Sequence, residues 1–101
     1  GLLRFDTLTN TISKIHDIGC WSLLTAIGDK CFIASNNTNY LGLLQYNDSD
    51  KSLKLICEEG YEWKNIFEAD GKIFASGRSY LKGLYLIEND TVTKIYDDNS
   101  N

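Results

Sequence analysis

The sequence predicts an all-β fold made of repeated, four-stranded antiparallel sheets. Three observations predict it. Gly1, Gly42 and Gly83 open the same short phrase at an even spacing (42 − 1 = 83 − 42 = 41), and a fixed period of that size marks a repeat architecture. Short apolar runs alternate with clusters of Asn, Asp, Gly, Ser and Thr roughly every ten residues, as in chains of short strands and tight turns. No stretch sustains apolar residues at i, i+3, i+4 and i+7 over two helical turns.

Residues 1–17 hold two strands. The first follows Gly1 as Leu2-Leu3-Arg4-Phe5-Asp6, and the second is Ser13-Lys14-Ile15-His16-Asp17. Residues 21–58 hold four: a first strand opening at Trp21, the continuous apolar run Cys31-Phe32-Ile33-Ala34, the phrase Gly42-Leu43-Leu44-Gln45-Tyr46-Asn47, and the tail Leu53-Lys54-Leu55-Ile56-Cys57-Glu58. Residues 63–97 hold four more. Trp63 to Ala69 runs into Asp70-Gly71, a hairpin signal because such turns need positive φ. Lys72-Ile73-Phe74-Ala75-Ser76, the strand from Gly83, and Val92-Thr93-Lys94-Ile95-Tyr96 complete the unit.

The units align by Phe32-Ile33-Ala34-Ser35 lying one period before Ile73-Phe74-Ala75-Ser76. Trp21 aligns with Trp63 after a one-residue step, which this alignment removes near Asp29 and Asp70. Lysines at positions 14, 54 and 94 suit an outer edge strand. The apolar second strand needs cover on both faces, so each sheet requires a neighbour on each side.

Four antiparallel strands in about 41 residues is the size of a β-propeller blade. Counted this way, the chain holds about two and a half blades: a half blade at 1–17 and blades at 21–58 and 63–97. The cadence of Trp63, Asp70-Gly71-Lys72-Ile73-Phe74-Ala75-Ser76-Gly77 and Gly83-Leu84-Tyr85-Leu86-Ile87-Glu88-Asn89-Asp90 resembles bacterial propeller repeats. The sensor propellers of two-component regulators come nearest, with the broader YVTN and kelch-like group behind them. WD40 repeats fit poorly, lacking here a Gly-His start and a Trp-Asp end, and kelch repeats proper lack their Gly-Gly pair. The resemblance implies a fold more than a function. It points to a non-catalytic, extracytoplasmic module for ligand sensing or protein interaction.

The chain carries no Met and no leader-like segment, opens on a third strand, and is expected to be a piece of a longer chain. Its expected partners are the remainder of a parent propeller, or other copies through open blade edges. The net charge of −4, spread over loops, argues against nucleic acid. No apolar run approaches a membrane span, so membrane insertion is not expected.

Trp21 and Trp63 recur at the start of the first strand and are candidates for stacking on sugar rings, the basis of a lectin-like alternative; packing between blades is the other role for such rings. Tyr40 and Tyr80 fall in the same loop of the repeat, one residue apart in register, and, with Asn37, Arg78 and their polar neighbours, form the candidate recognition surface. A third alternative is a propeller hydrolase whose paired carboxylates lie partly elsewhere.

No catalytic residue, metal or cofactor is assigned. The acids of Asn47-Asp48-Ser49-Asp50 and Glu88-Asn89-Asp90 lack calcium-loop spacing and read as solvated turn residues. Cys20, Cys31 and Cys57 show no zinc spacing; Cys31 and Cys57 occupy strand positions as small apolar side chains. His16 has no nucleophile placed beside it.

Overall fold

The computed structural model describes residues 2–17, 21–35, 42–59 and 62–97, with the side chains of His16, Trp21 and Ser22 outside that description. Among the described residues ten strands follow one another: β1 (Leu2–Asp6), β2 (Thr11–His16), β3 (Trp21–Ile27), β4 (Lys30–Ser35), β5 (Gly42–Asn47), β6 (Ser52–Cys57), β7 (Trp63–Ala69), β8 (Lys72–Gly77), β9 (Gly83–Glu88) and β10 (Thr91–Tyr96). They form three antiparallel sheets. β1 pairs with β2; β3 to β6 and β7 to β10 each hydrogen-bond in chain order. The fold is therefore all-β, with sheets of two, four and four strands.

Turn chemistry explains the connections. Two residues separate the paired ends Ala69 and Lys72, and both have positive φ (Asp70 53°, Gly71 75°). Asn89 and Asp90 do the same between Glu88 and Thr91, at 54° and 61°. Paired positive φ gives the turn twist that matches a right-handed hairpin, and Asn, Asp and Gly tolerate it best.

The glycines of the repeated phrase are required for a different reason. Gly42 and Gly83 have φ of 137° and 130°. A Cβ on Gly42 would overlap the Cys57 carbonyl oxygen, and one on Gly83 would overlap that of Tyr96. Both lie where the β5–β6 and β9–β10 ladders shift register near their ends. Close backbone approach at an irregular pairing leaves no room for a side chain.

The strand pairings correct the alignment of the units. Trp21 pairs with Ser35 and Ile27 with Lys30; Trp63 pairs with Gly77 and Ala69 with Lys72. Through both strands the offset is thus 42 residues. Phe32 faces Gln45 while Phe74 faces Leu86, so Phe32 corresponds to Phe74 and Ala34 to Ser76. The extra residue is removed between β4 and β5, not near Asp29 and Asp70. A slip of one within a strand turns every side chain to the opposite face, whereas a loop absorbs it.

The second sheet, β3 to β6, is covered on both faces. Phe32, Ala34 and Leu43 join one core with Trp63, Ile66, Ala75, Tyr85 and Ile87 of the third sheet. Ile33, Leu44 and Tyr46 point the other way and join Leu2 of β1. β3 runs against β7 and β6 against β10, so the two larger sheets stack strand on like strand. Each large apolar side chain enclosed in this way contributes about 2 kcal/mol.

Candidate interaction surface

The connection from β8 to β9 presents two of the candidate recognition residues. Its middle is a 3₁₀ turn, Ser79–Leu81. Leu81 is buried and anchors the turn, while Arg78 and Tyr80 are exposed. The Arg78 backbone N–H donates to the Glu62 carbonyl at 2.9 Å, and its Nε donates to Glu62 Oε2 at 3.0 Å. Leu81 N–H closes the turn onto the Arg78 carbonyl at 3.0 Å. The Tyr80 ring, 57% exposed, therefore stands on a backbone held from two sides. Tyr presents a large amphipathic surface with little side-chain entropy to lose, which suits a contact residue. Tyr40 and Asn37 fall outside the described residues.

Trp63 starts β7 beside this segment, paired with Gly77, but its ring turns inward. It is 4% exposed, its ring meets Tyr85 edge-on at 4.9 Å between centroids, and its Nε1 donates to the Glu59 carbonyl at 2.5 Å. Enclosed this way, the ring packs the contact between the second and third sheets and offers no face to a sugar. The backbone of Trp21 starts β3, and its side chain is outside the described residues. The structure thus exposes Arg78 and Tyr80 on one segment and encloses the ring of Trp63, whose backbone pairs with Gly77 beside that segment.

The turn acids have a role that their sequence context does not reveal. Arg4 on β1 reaches Asp48 in the β5–β6 turn by two parallel contacts, Nε to Oδ1 at 3.0 Å and Nη2 to Oδ2 at 3.1 Å. One period later, Gln45 Nε2 donates to Asp90 Oδ1 in the β9–β10 turn at 2.9 Å. Lys54 Nζ completes that cluster on Asp90 Oδ2, also at 2.9 Å. The fourth residue of the glycine phrase in one sheet therefore ties down the turn of the next sheet, twice over. Arg4 and Gln45 differ in charge, so residue identity hides the equivalence; their 41-residue spacing was the available signal. The third phrase has Leu86 at this position.

These contacts shift the ionisation of the groups involved. The bond from Lys54, then that from Gln45, holds the Asp90 carboxyl below the usual range. Partial desolvation pushes Asp48 upward, but the bonds from Arg4 and Lys51 together outweigh it and leave it lowered. Asp90 in turn raises Lys54. Among the described residues, no three His, Cys, Asp or Glu side chains gather as a metal site would need. Cys31 and Cys57 are free thiols, both half-buried, and burial pushes the Cys31 thiol up, which makes it less reactive. Cys20 falls outside the described residues.

Among the described residues, no helix is long and apolar enough to cross a membrane. No family model matches the chain, and neither a curated protein nor a solved structure matches it.

Proposed function

We propose that this chain is part of a β-propeller array and works without catalysis, in ligand sensing or protein interaction. The stacking supports the propeller reading: like strands lie over like strands, and one clamp recurs at two successive sheet contacts through Arg4–Asp48 and Gln45–Asp90. Radial repetition of four-stranded sheets is the architecture that uses such contacts. The observation that carries the interaction role is the β8–β9 connection, where Tyr80 is held out on a turn braced by Leu81 and by the Arg78–Glu62 pair.

Affinity capture from the native source, comparing the wild-type chain with the Arg78→Ala/Tyr80→Ala variant, tests this role. A partner retained by the wild type and lost by the variant, with folding unchanged, supports it. Equal capture by both would move the role away from this loop, and turnover of a substrate by the folded chain would overturn the non-catalytic reading. The burial of Trp63 takes one of its two Trp rings from the lectin-like alternative, which also drew on Trp21 and the loop tyrosines.

A further inference from the structure

At the end that carries the hairpin turns, the second and third sheets leave a cavity of about 350 Å³ between them, at the small end of the range for ligand sites. Lys30 and Gln45 of the second sheet form one wall; Ile73, Ile87 and the β9–β10 turn with Asp90 form the other. Both walls belong to four-stranded sheets within the chain. The cavity lies at the opposite end of β9 from Tyr80.

The repeat explains why space is left. Ile87 stands where the second sheet has Tyr46 (87 − 41 = 46), and each pairs with its second-strand neighbour, Ile73 or Cys31. Both side chains face the preceding sheet. Ile in place of Tyr reaches less far across the contact.

Two polar groups lining this space lack partners. Gln45 is 2% exposed, and both hydrogens of its amide are spent, on Asp90 Oδ1 and Asn47 Oδ1. Its Oε1 accepts no hydrogen bond among the described residues. Turning the amide round would set Oε1 against the Asp90 carboxylate, so the unused group is the acceptor. A buried acceptor without a donor is costly, and native structures nearly always supply one. Lys30 is the second group. It starts β4, after a turn held by the bond from Asp48 N–H to the Asp29 carbonyl at 2.8 Å. Among the described residues the Lys30 ammonium forms no ion pair; yet, after Lys54 and Gln45, it helps to lower the Asp90 carboxyl. A cation and a carboxylate therefore stand apart on opposite walls, with a buried acceptor beside the carboxylate.

We propose that this cavity binds a small aliphatic α-amino acid. Its carboxylate meets Lys30, its ammonium donates to Gln45 Oε1 and approaches Asp90, and its side chain lies on Ile73 and Ile87. A zwitterion gives each of these groups its complement and adds no net charge. An acid without an amine would leave Gln45 Oε1 bare, and an amine without an acid would leave Lys30 unpaired. This deepens the ligand-sensing reading above and rests on it, while the Tyr80 loop takes no part.

The test uses the 101-residue chain and isothermal titration with L-leucine and L-valine. Saturable binding of at least one is expected. Isocaproate and isoamylamine, which each lack one charged group of leucine, are expected to bind about tenfold or more weakly. Ile87→Tyr, which imitates Tyr46, is expected to fill the cavity and abolish binding. Lys30→Met needs no repacking of the core, keeps the test independent of that variant, and is expected to weaken binding by the same factor as loss of the carboxylate. Far-UV circular dichroism checks that both variants are folded. No saturable binding of either amino acid, equal binding of acid, amine and amino acid, or unchanged binding by folded Lys30→Met would overturn the proposal. The Arg78→Ala/Tyr80→Ala variant is expected to bind leucine as the wild type does. No leucine binding, with Tyr80-dependent capture intact, removes the cavity reading alone. Loss of that capture, with leucine binding intact, removes the loop reading alone.

Discussion

Gln45, enclosed in the second sheet, donates from Nε2 to Asp90 Oδ1 of the third sheet at 2.9 Å. The same amide also donates to Asn47 Oδ1 at 3.1 Å. A buried amide is tolerated only when its hydrogen-bonding groups find partners, so this side chain joins the sheets through a polar contact at the half-exposed β9–β10 turn.

Replacing Gln45 by Ala removes both bonds and opens a small void. Urea unfolding is expected to report a loss of about 1–3 kcal/mol. Gln45→Leu, which imitates the residue at position 86, is expected to cost less, because Leu fills the void that Ala leaves, while Asp90 keeps its bond to Lys54 in either variant.

The glycines of the repeated phrase are expected to be intolerant, and the turn glycine tolerant. Gly42→Ala and Gly83→Ala combine positive φ with overlap on a backbone carbonyl, and each is expected to destabilise by about 2 kcal/mol or more. Gly71→Asn sits at φ 75° in open space, and a change within about 1 kcal/mol is expected. Thermal melts of the three variants check the contrast.

Asp90 and Lys54 set a pH dependence of definite sign. A carboxyl whose pKa falls on folding adds stability above its unfolded value, about 4, and that share is lost as pH drops through the folded value. A lysine whose pKa rises on folding adds stability that is complete below its unfolded value, about 10.4, and is lost as pH climbs through the folded value. Stability from this pair is therefore expected to be flat at neutral pH and to decline at both extremes. The Asp90→Asn variant should show a shallower acid limb in denaturation series, and added salt should reduce the difference for so exposed a pair.

Equivalent positions are expected to differ in cost according to what covers them. Phe5 and Tyr46 hold the same place in the glycine phrase, but Phe5 is 56% exposed and Tyr46 is 5% exposed. Tyr46→Ala is expected to cost about 3–5 kcal/mol and Phe5→Ala about 0.5 kcal/mol or less, as read from denaturant midpoints.

Trp63→Ala is expected to cost about 3–5 kcal/mol, since the ring fills the sheet contact against Tyr85. Trp63→Phe keeps part of the packing and loses the bond to the Glu59 carbonyl, for a smaller loss of about 1–2 kcal/mol. Calorimetric melts distinguish the two.

Local chemistry by itself determined the strands, because alternating or continuous apolar runs bounded by Asp-Gly, Asn-Asp and Gly turns allow little else. It also determined the need for cover on both faces of a sheet, since Cys31 to Ala34 leaves no polar side to turn toward water. Which residues faced which neighbour was decided only in three dimensions. The matching letters Phe-Ile-Ala-Ser and Ile-Phe-Ala-Ser suggested one alignment, and the pairing of Phe32 with Gln45 and Phe74 with Leu86 imposed another, because strand parity overrides residue likeness. The fate of Trp63, the turn acids and Leu24 was likewise tertiary. Burial and hydrogen bonding across sheets depend on what lies over a side chain, and residues 41 or 42 positions apart carry no local mark of that. Here the stacking enclosed Trp63, tied Asp48 and Asp90 across sheet contacts, and left Leu24 partly exposed.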